Sequence, residues 1–175
     1  MGHDLLHGAH RNLQFEEIYR THWRSVYNYV YGRLLRAEEA EEVTADVFFA
    51  AWEHLDEYDA ERARLTTWLG RIAHNKVNDH FRKAYRRQEI SVDEFPESMQ
   101  PTAPSDEEDG GLSDPVTDTA ERILRQLSAE ERSLLELRYA LELSNDEVAD
   151  IIGVSANAVS HRYRRLLEKC KKLSA

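Results

Sequence analysis

Arg71, Asn75, Asn78, Arg82 and Arg86 recur every three or four residues. On a helix they share one stripe, at about 100° per residue, away from the apolar positions Leu65, Trp68, Leu69, Ile72, Ala73, Val77 and Phe81. Guanidinium groups neutralise phosphates, and carboxamides can pair with base edges. A second set closes the chain: Asn157, Ser160 and His161, then Arg162, Arg164, Arg165, Lys169, Lys171 and Lys172. Polar side chains at the start of a helix can face bases in a major groove while later cations reach phosphates. The chemistry on offer is binding to a polyanion. Bond-making is not expected, because no phosphate-cradling glycine loop, nucleophile motif or paired-carboxylate site is present.

The overall charge argues the other way. The 175 residues carry a formal net charge of −10 and a pI near 5.3, and an acidic protein is ordinarily a poor partner for nucleic acid. The charge is segregated, however. Residues 62–87 hold eight Lys or Arg against the single acid Asp79, and residues 158–175 hold six against Glu168. Between them, residues 88–121 hold eleven acids and no Lys or Arg. Net charge conceals two cationic islands.

The tract 91–115 contains all four prolines within a Ser/Asp/Glu-rich background. It has too little apolar surface to offset the entropy of ordering, so residues 90–116 are expected to be an acidic linker between domains at 12–89 and 117–172. Both halves read as helical, and in the first Phe15, Ile18, Tyr19, His22, Val26 and Val30, then Ala40, Val43, Val47, Ala51 and Leu55, recur at three- and four-residue spacing. The stretch Asp56–Arg64 interrupts this pattern and predicts a loop feeding a long third helix. In the second half, Ser128–Glu131 and Ser144–Glu147 both fit the capping box. Gly153 supplies a tight turn between the helix bearing Ala149 and another from about Ala156 to Lys171, with Val159 returning to the core. This is a helix-turn-helix pattern. The expected fold is all-α, in two small helical domains.

Along nearly its whole ordered length the chain resembles the extracytoplasmic-function (group IV) sigma factors of bacterial RNA polymerase. Glu41-Glu42-Val43-Thr44-Ala45-Asp46-Val47-Phe48 is similar to that family's acidic helix, and Ala51–Tyr58 to the segment after it. Thr67-Trp68-Leu69-Gly70-Arg71-Ile72-Ala73-His74-Asn75 through Asp79 is similar to the stretch before the basic tail. Leu127–Arg132, Leu137-Arg138-Tyr139 and Leu143–Ala149 resemble the run of sigma domain 4. The resemblance implies a domain 2 that binds core polymerase and opens the −10 region, and a domain 4 that reads the −35 element. By position, Glu42, Asp46, Phe49 and Glu53 would meet the β′ clamp helices. His54, Tyr58 and Asn75 would form a pocket for a flipped base, and Arg71, Lys76, Arg82, Lys83, Arg86 and Arg87 would hold the strand. Asn157, Ser160, His161, Arg162, Arg164 and Arg165 would contact the −35 element, with the β flap and an anti-sigma factor as further protein partners. Two positions depart from the family pattern: Ala45 replaces a common glutamine, and Ser160-His161 stands where many relatives have Arg. Ser160 cannot make the bidentate guanine contact of an arginine.

Plainer readings compete. Each charged stripe alone is compatible with a solvated helix face, and Trp68 fits the core better than a stacking platform. A stand-alone helix-turn-helix regulator is the main alternative, but it leaves residues 68–87 unexplained; an all-helical adaptor for acidic proteins is another. The single Cys170 allows no internal disulfide. His3, His7 and His10 have helical spacing but sit on a polar terminus, and neither metal nor cofactor is expected. The opening residues show neither the basic region nor the apolar core of a signal peptide, which points to a cytoplasmic protein.

Overall fold

The computed structural model describes residues 2–92 and 115–175, so the expected linker falls almost wholly outside it, as do the side chains of His3 and His7. The described residues are helical, with no strand: α1 (Gly2–Leu34), α2 (Ala37–Glu53), a 3₁₀ turn (Leu55–Glu57), α3 (Leu65–Val92), α4 (Pro115–Arg125), α5 (Ala129–Tyr139), α6 (Asn145–Ile152) and α7 (Ala156–Ser174). None of these helices is long and apolar enough to cross a membrane.

The apolar periodicities become the packing faces. Ala40, Val43, Val47, Ala51 and Leu55 are all buried, against Ile18, Val26 and Val30 of α1 and Leu69, Ala73 and Val77 of α3. Leu35 makes the turn from α1 to α2 with φ 55°, a left-handed conformation that side chains seldom adopt, and its own side chain is buried there. Tyr19, expected within the stripe, lies at its edge and is partly exposed beside Phe48. Trp68 is half-buried, its ring 5.1 Å from that of Tyr58.

The second half is built on local signals. Both capping boxes form, with Ser128 and Ser144 accepting from the backbone N–H of Glu131 and Glu147 while those carboxylates accept from the serine N–H. Such a cap satisfies two otherwise orphaned donors. Gly153 ends α6 with φ 74°, and Ser155 caps α7. Val148, Val159 and Leu166 fill the space between α5, α6 and α7.

The two halves lie against each other, with α1 packed on α5 and α3 on α6, so one apolar core runs through both. Two glycines mark the close approaches. A Cβ at Gly32 would overlap the Glu136 carboxyl group, and one at Gly70 would lie 3.1 Å from Leu141, 3.4 Å from Leu143 and 3.5 Å from Ile151. Tyr31 adds a third crossing, its hydroxyl donating to Glu121 at 2.5 Å.

Gly153 provides a test of the turn. Nothing lies within 4 Å of a Cβ placed there, so Gly153→Ala should cost only the left-handed backbone penalty, about 1 kcal/mol, and Gly153→Asn less. Chemical denaturation of the three proteins checks the order.

Candidate nucleic-acid interface

The cationic stripe of α3 divides into residues that face solvent and residues that turn inward. Arg71, Asn75, Arg82, Lys83, Arg86 and Arg87 are exposed and Lys76 is half-buried. Arg82 pairs with Asp79 one turn away, at 3.0 Å. Asn78, placed on the same stripe by its spacing, is instead half-buried: its Oδ1 accepts from Arg33 at 3.2 Å and its amide lies 3.1 Å from His74 Nε2. It is not free to read a base. His54 is exposed, with Nδ1 3.0 Å from Glu57, while the Tyr58 hydroxyl donates to the Ala63 carbonyl across its own loop at 3.1 Å. Asn75 and His54 therefore offer open polar edges, whereas the Tyr58 ring is braced by Trp68.

The inward group is centred on Arg33, 4 % exposed. Its guanidinium donates to the Tyr29 hydroxyl at 2.7 Å, the Ser133 hydroxyl at 3.3 Å and Asn78, and stands over the Phe81 ring. Since the Asn78 amide must donate to His74 Nε2, the proton of the neutral imidazole sits on Nδ1 and is donated to the Tyr29 oxygen, 3.2 Å away. All of these hydrogen bonds are satisfied by this one tautomer. Burial, reinforced by the charge of Arg33, holds His74 down at about 4. Glu136 faces the same cluster against Gly32, and burial raises its carboxyl to about 7 despite the opposing pull of Arg33. None of Tyr29, Arg33 and His74 was singled out from the sequence as a polar core group. The available signal was a cation in register with the buried stripe Val26, Tyr29, Val30 on α1.

At the start of α3, Arg64 grips Glu147 of α6 with two hydrogen bonds, 2.6 and 2.7 Å, and the buried Thr67 hydroxyl donates to the same carboxylate at 2.8 Å. With the backbone N–H of Ser144 included, four donors converge on Glu147. They hold its carboxyl at about 2, the Arg64 hydrogen bond contributing most. Arg71 pairs with Asp150 one turn further along α6.

On α7, Asn157, His161, Arg162, Arg164 and Arg165 are exposed and Ser160 is half-buried. Arg162, Arg165 and Lys169 also edge a cleft of about 830 Å³ that opens between α3, α5 and α7. On α2, Glu42, Asp46, Phe49 and Glu53 are all exposed on one face, and Phe49 is 64 % exposed among the acids. The described residues contain no group of His, Cys, Asp or Glu able to hold a metal ion.

Residues 18–87 match the family profile described as Sigma-70 region 2, and residues 118–170 match Sigma-70, region 4. The chain is 30% identical over 164 residues to the RNA polymerase sigma factor YlaC of Bacillus subtilis (strain 168), spanning 91% of this chain and 92% of that protein. It is 28% identical to the ECF RNA polymerase sigma factor SigW of the same organism, over 90% of this chain and 87% of that one. The fold is similar to the sigma factor RpoE crystallised with the anti-sigma factor NepR from Bartonella quintana, with a TM-score of 0.72 at 22% identity over 91% and 96% of the two chains.

The Arg33 cluster predicts two opposed pH dependences. Unfolded Glu136 ionises near 4.5 while the folded group stays protonated to about 7, so stability falls as pH rises between them. Unfolded His74 takes up a proton near 6.5 while the folded ring resists to about 4, so stability falls as pH drops between them. The windows overlap and offset. Glu136→Gln should therefore lose stability on acidification from pH 6.5 to 4 more steeply than the native chain, and His74→Gln should gain it. Denaturant titrations at stepped pH measure this; three parallel profiles would contradict it.

Proposed function

The chain belongs to the extracytoplasmic-function sigma factors of the sigma-70 family, and from that membership we propose how its helices divide the work of transcription initiation. It is an alternative sigma factor that directs transcription by RNA polymerase. The division rests on one observation: the two exposed cationic surfaces lie on α3 and α7, while the exposed acids surround an exposed phenylalanine on α2.

In this reading residues 12–89 form sigma domain 2 and residues 117–172 sigma domain 4, with 90–116 as the acidic linker. Glu42, Asp46, Phe49 and Glu53 dock on the β′ clamp helices, the carboxylates pairing with basic side chains and Phe49 filling an apolar socket. Ala45 gives no polar contact there, so Asp46 carries more of the interaction. Along α3, Arg71, Lys76, Arg82, Lys83 and Arg86 hold the opened −10 strand. His54, Tyr58 and Asn75 receive an unstacked base, with Asn75 reading its edge and the Tyr58 ring offering a face. On α7, Asn157, Ser160 and His161 face the −35 bases while Arg162, Arg164 and Arg165 hold phosphates. The β flap meets domain 4. A regulator of the kind in the RpoE–NepR structure is the expected further partner, and the protein works in the cytoplasm without a catalytic site of its own.

Purified chain plus core polymerase should start transcripts at selected promoters where core alone starts none; if the two start at the same places, the reading is wrong. Within that assay, Asn75→Ala should reduce open-complex formation more than core binding. Because Phe49 is exposed in the free chain, Phe49→Ala should weaken core binding by roughly tenfold or more without lowering the melting temperature.

A further inference from the structure

The turn proposed to receive the unstacked base is held from outside by a residue of α1. Within residues 54–63 the hydrogen bonds are local: the Glu57 N–H donates to the His54 carbonyl at 3.0 Å, the Tyr58 N–H to that of Leu55 at 3.2 Å, and the Tyr58 hydroxyl to that of Ala63 at 3.1 Å. Arg11 ties this stretch to another helix. One end of its guanidinium donates to the Trp52 carbonyl in the last turn of α2, at 2.6 Å, and the other lies 3.3 Å from the carboxylate of Asp56 in the 3₁₀ turn. The same group stands over the Trp52 ring, 4.6 Å from its centroid. We propose that Arg11 is a positioning residue for promoter opening: it fixes the turn that carries His54 and Tyr58, and through that turn the fit of the flipped −10 base. This rests on the base-pocket reading above and adds to it a residue that lies ahead of the stretch 18–87 matching Sigma-70 region 2.

The geometry follows from helical spacing. Arg11 and Phe15 are four residues apart on α1 and so share a face. Phe15 packs edge-on against Trp52, with ring centroids 5.2 Å apart, and meets Phe48 at 6.5 Å, which seats this end of α1 on α2. One turn earlier the arginine stem is carried over the indole, whose face attracts a cation. The last carbonyls of a helix run out of intrahelical donors. A planar guanidinium can reach one of them and a carboxylate together, because its terminal nitrogens form a fixed fork. Arg11 is half-buried and Asp56 exposed, so their pairing adds little to overall stability. The bridge acts instead on the direction in which the chain leaves α2, and that direction sets where His54 and Tyr58 lie.

Two variants cut the bridge from its two ends. Arg11→Ala removes the cation, whereas Asp56→Asn removes the carboxylate and leaves the contact of Arg11 with Trp52. Arg11→Lys keeps a cation over the indole but has no fork with which to span both acceptors. Backbone hydrogen exchange at residues 54–58 and the melting temperature are measured on the full chain without polymerase. Core binding and the rate of open-complex formation are then measured with core polymerase. Preference is read among promoters that differ only at the unstacked −10 position, which 2-aminopurine fluorescence locates.

Arg11→Ala should exchange faster at residues 54–58 than the native chain while keeping its melting temperature and its affinity for core. It should open promoters more slowly, with the preference at the unstacked position reduced roughly tenfold. Asp56→Asn should show the same pattern more weakly and Arg11→Lys should lie between the native chain and Arg11→Ala. Combining Arg11→Ala with Asp56→Asn should add nothing to Arg11→Ala, since partners in one contact are not additive. Unchanged exchange at 54–58, an unchanged base preference, or a loss of core binding as large as the loss of opening would each overturn the proposal. Asn75→Ala, measured alongside, separates the two ideas. If it too leaves opening and base preference intact, the base-pocket reading falls; a defect in Asn75→Ala with none in Arg11→Ala removes only the role of Arg11.

Discussion

A guanidinium buried at Arg33 has to be satisfied, because an uncompensated charge away from water is among the costliest features a core can contain. Arginine only donates, so acceptors must come to it. They come to its two terminal nitrogens from α1 in Tyr29, α3 in Asn78 and α5 in Ser133, while Nε is left without a partner. No carboxylate is among these acceptors; Glu136 faces the cluster without a hydrogen bond to Arg33, and burial keeps its carboxyl protonated up to about 7. Those acceptors can converge only if α1, α3 and α5 hold one mutual arrangement, and α5 belongs to the other half of the chain. The polar hub thus sets the register that the apolar surfaces above and below it then fill.

This constraint has a bearing on charge. A chain of net −10 that binds DNA must keep its acids from being merely repulsive. Here Glu42, Asp46 and Glu53 of α2 are displayed on one exposed face, while Glu39 pairs with His80 of α3 and two acids of α6 are turned against Arg64 and Arg71. The excess of acid is therefore neither uniform nor idle.

Much of the fold could be read from periodicity and local chemistry. The α2 stripe is buried at every position expected, both capping boxes form, and Gly153 adopts the left-handed turn, since each of these depends on residues a few places apart. The exposed cations of α3 and α7 were likewise visible as stripes. What could not be read was anything that depends on the second half meeting the first. Asn78 has the spacing of a surface residue and is drawn inward by Arg33; Glu147 has a complete local explanation as a cap, which leaves no sign that Arg64 and Thr67 also claim it. Arg33 leaves only an unused trace, a cation on an apolar stripe, and such an inconsistency within a pattern marks a long-range partner.

The double use of Glu147 gives this architecture an evolutionary dial. Glutamate and glutamine cap a helix almost equally well, but only glutamate offers a charge to Arg64. A lineage can therefore strengthen or loosen the contact between the two halves through a single exchange that leaves the helix-turn-helix intact.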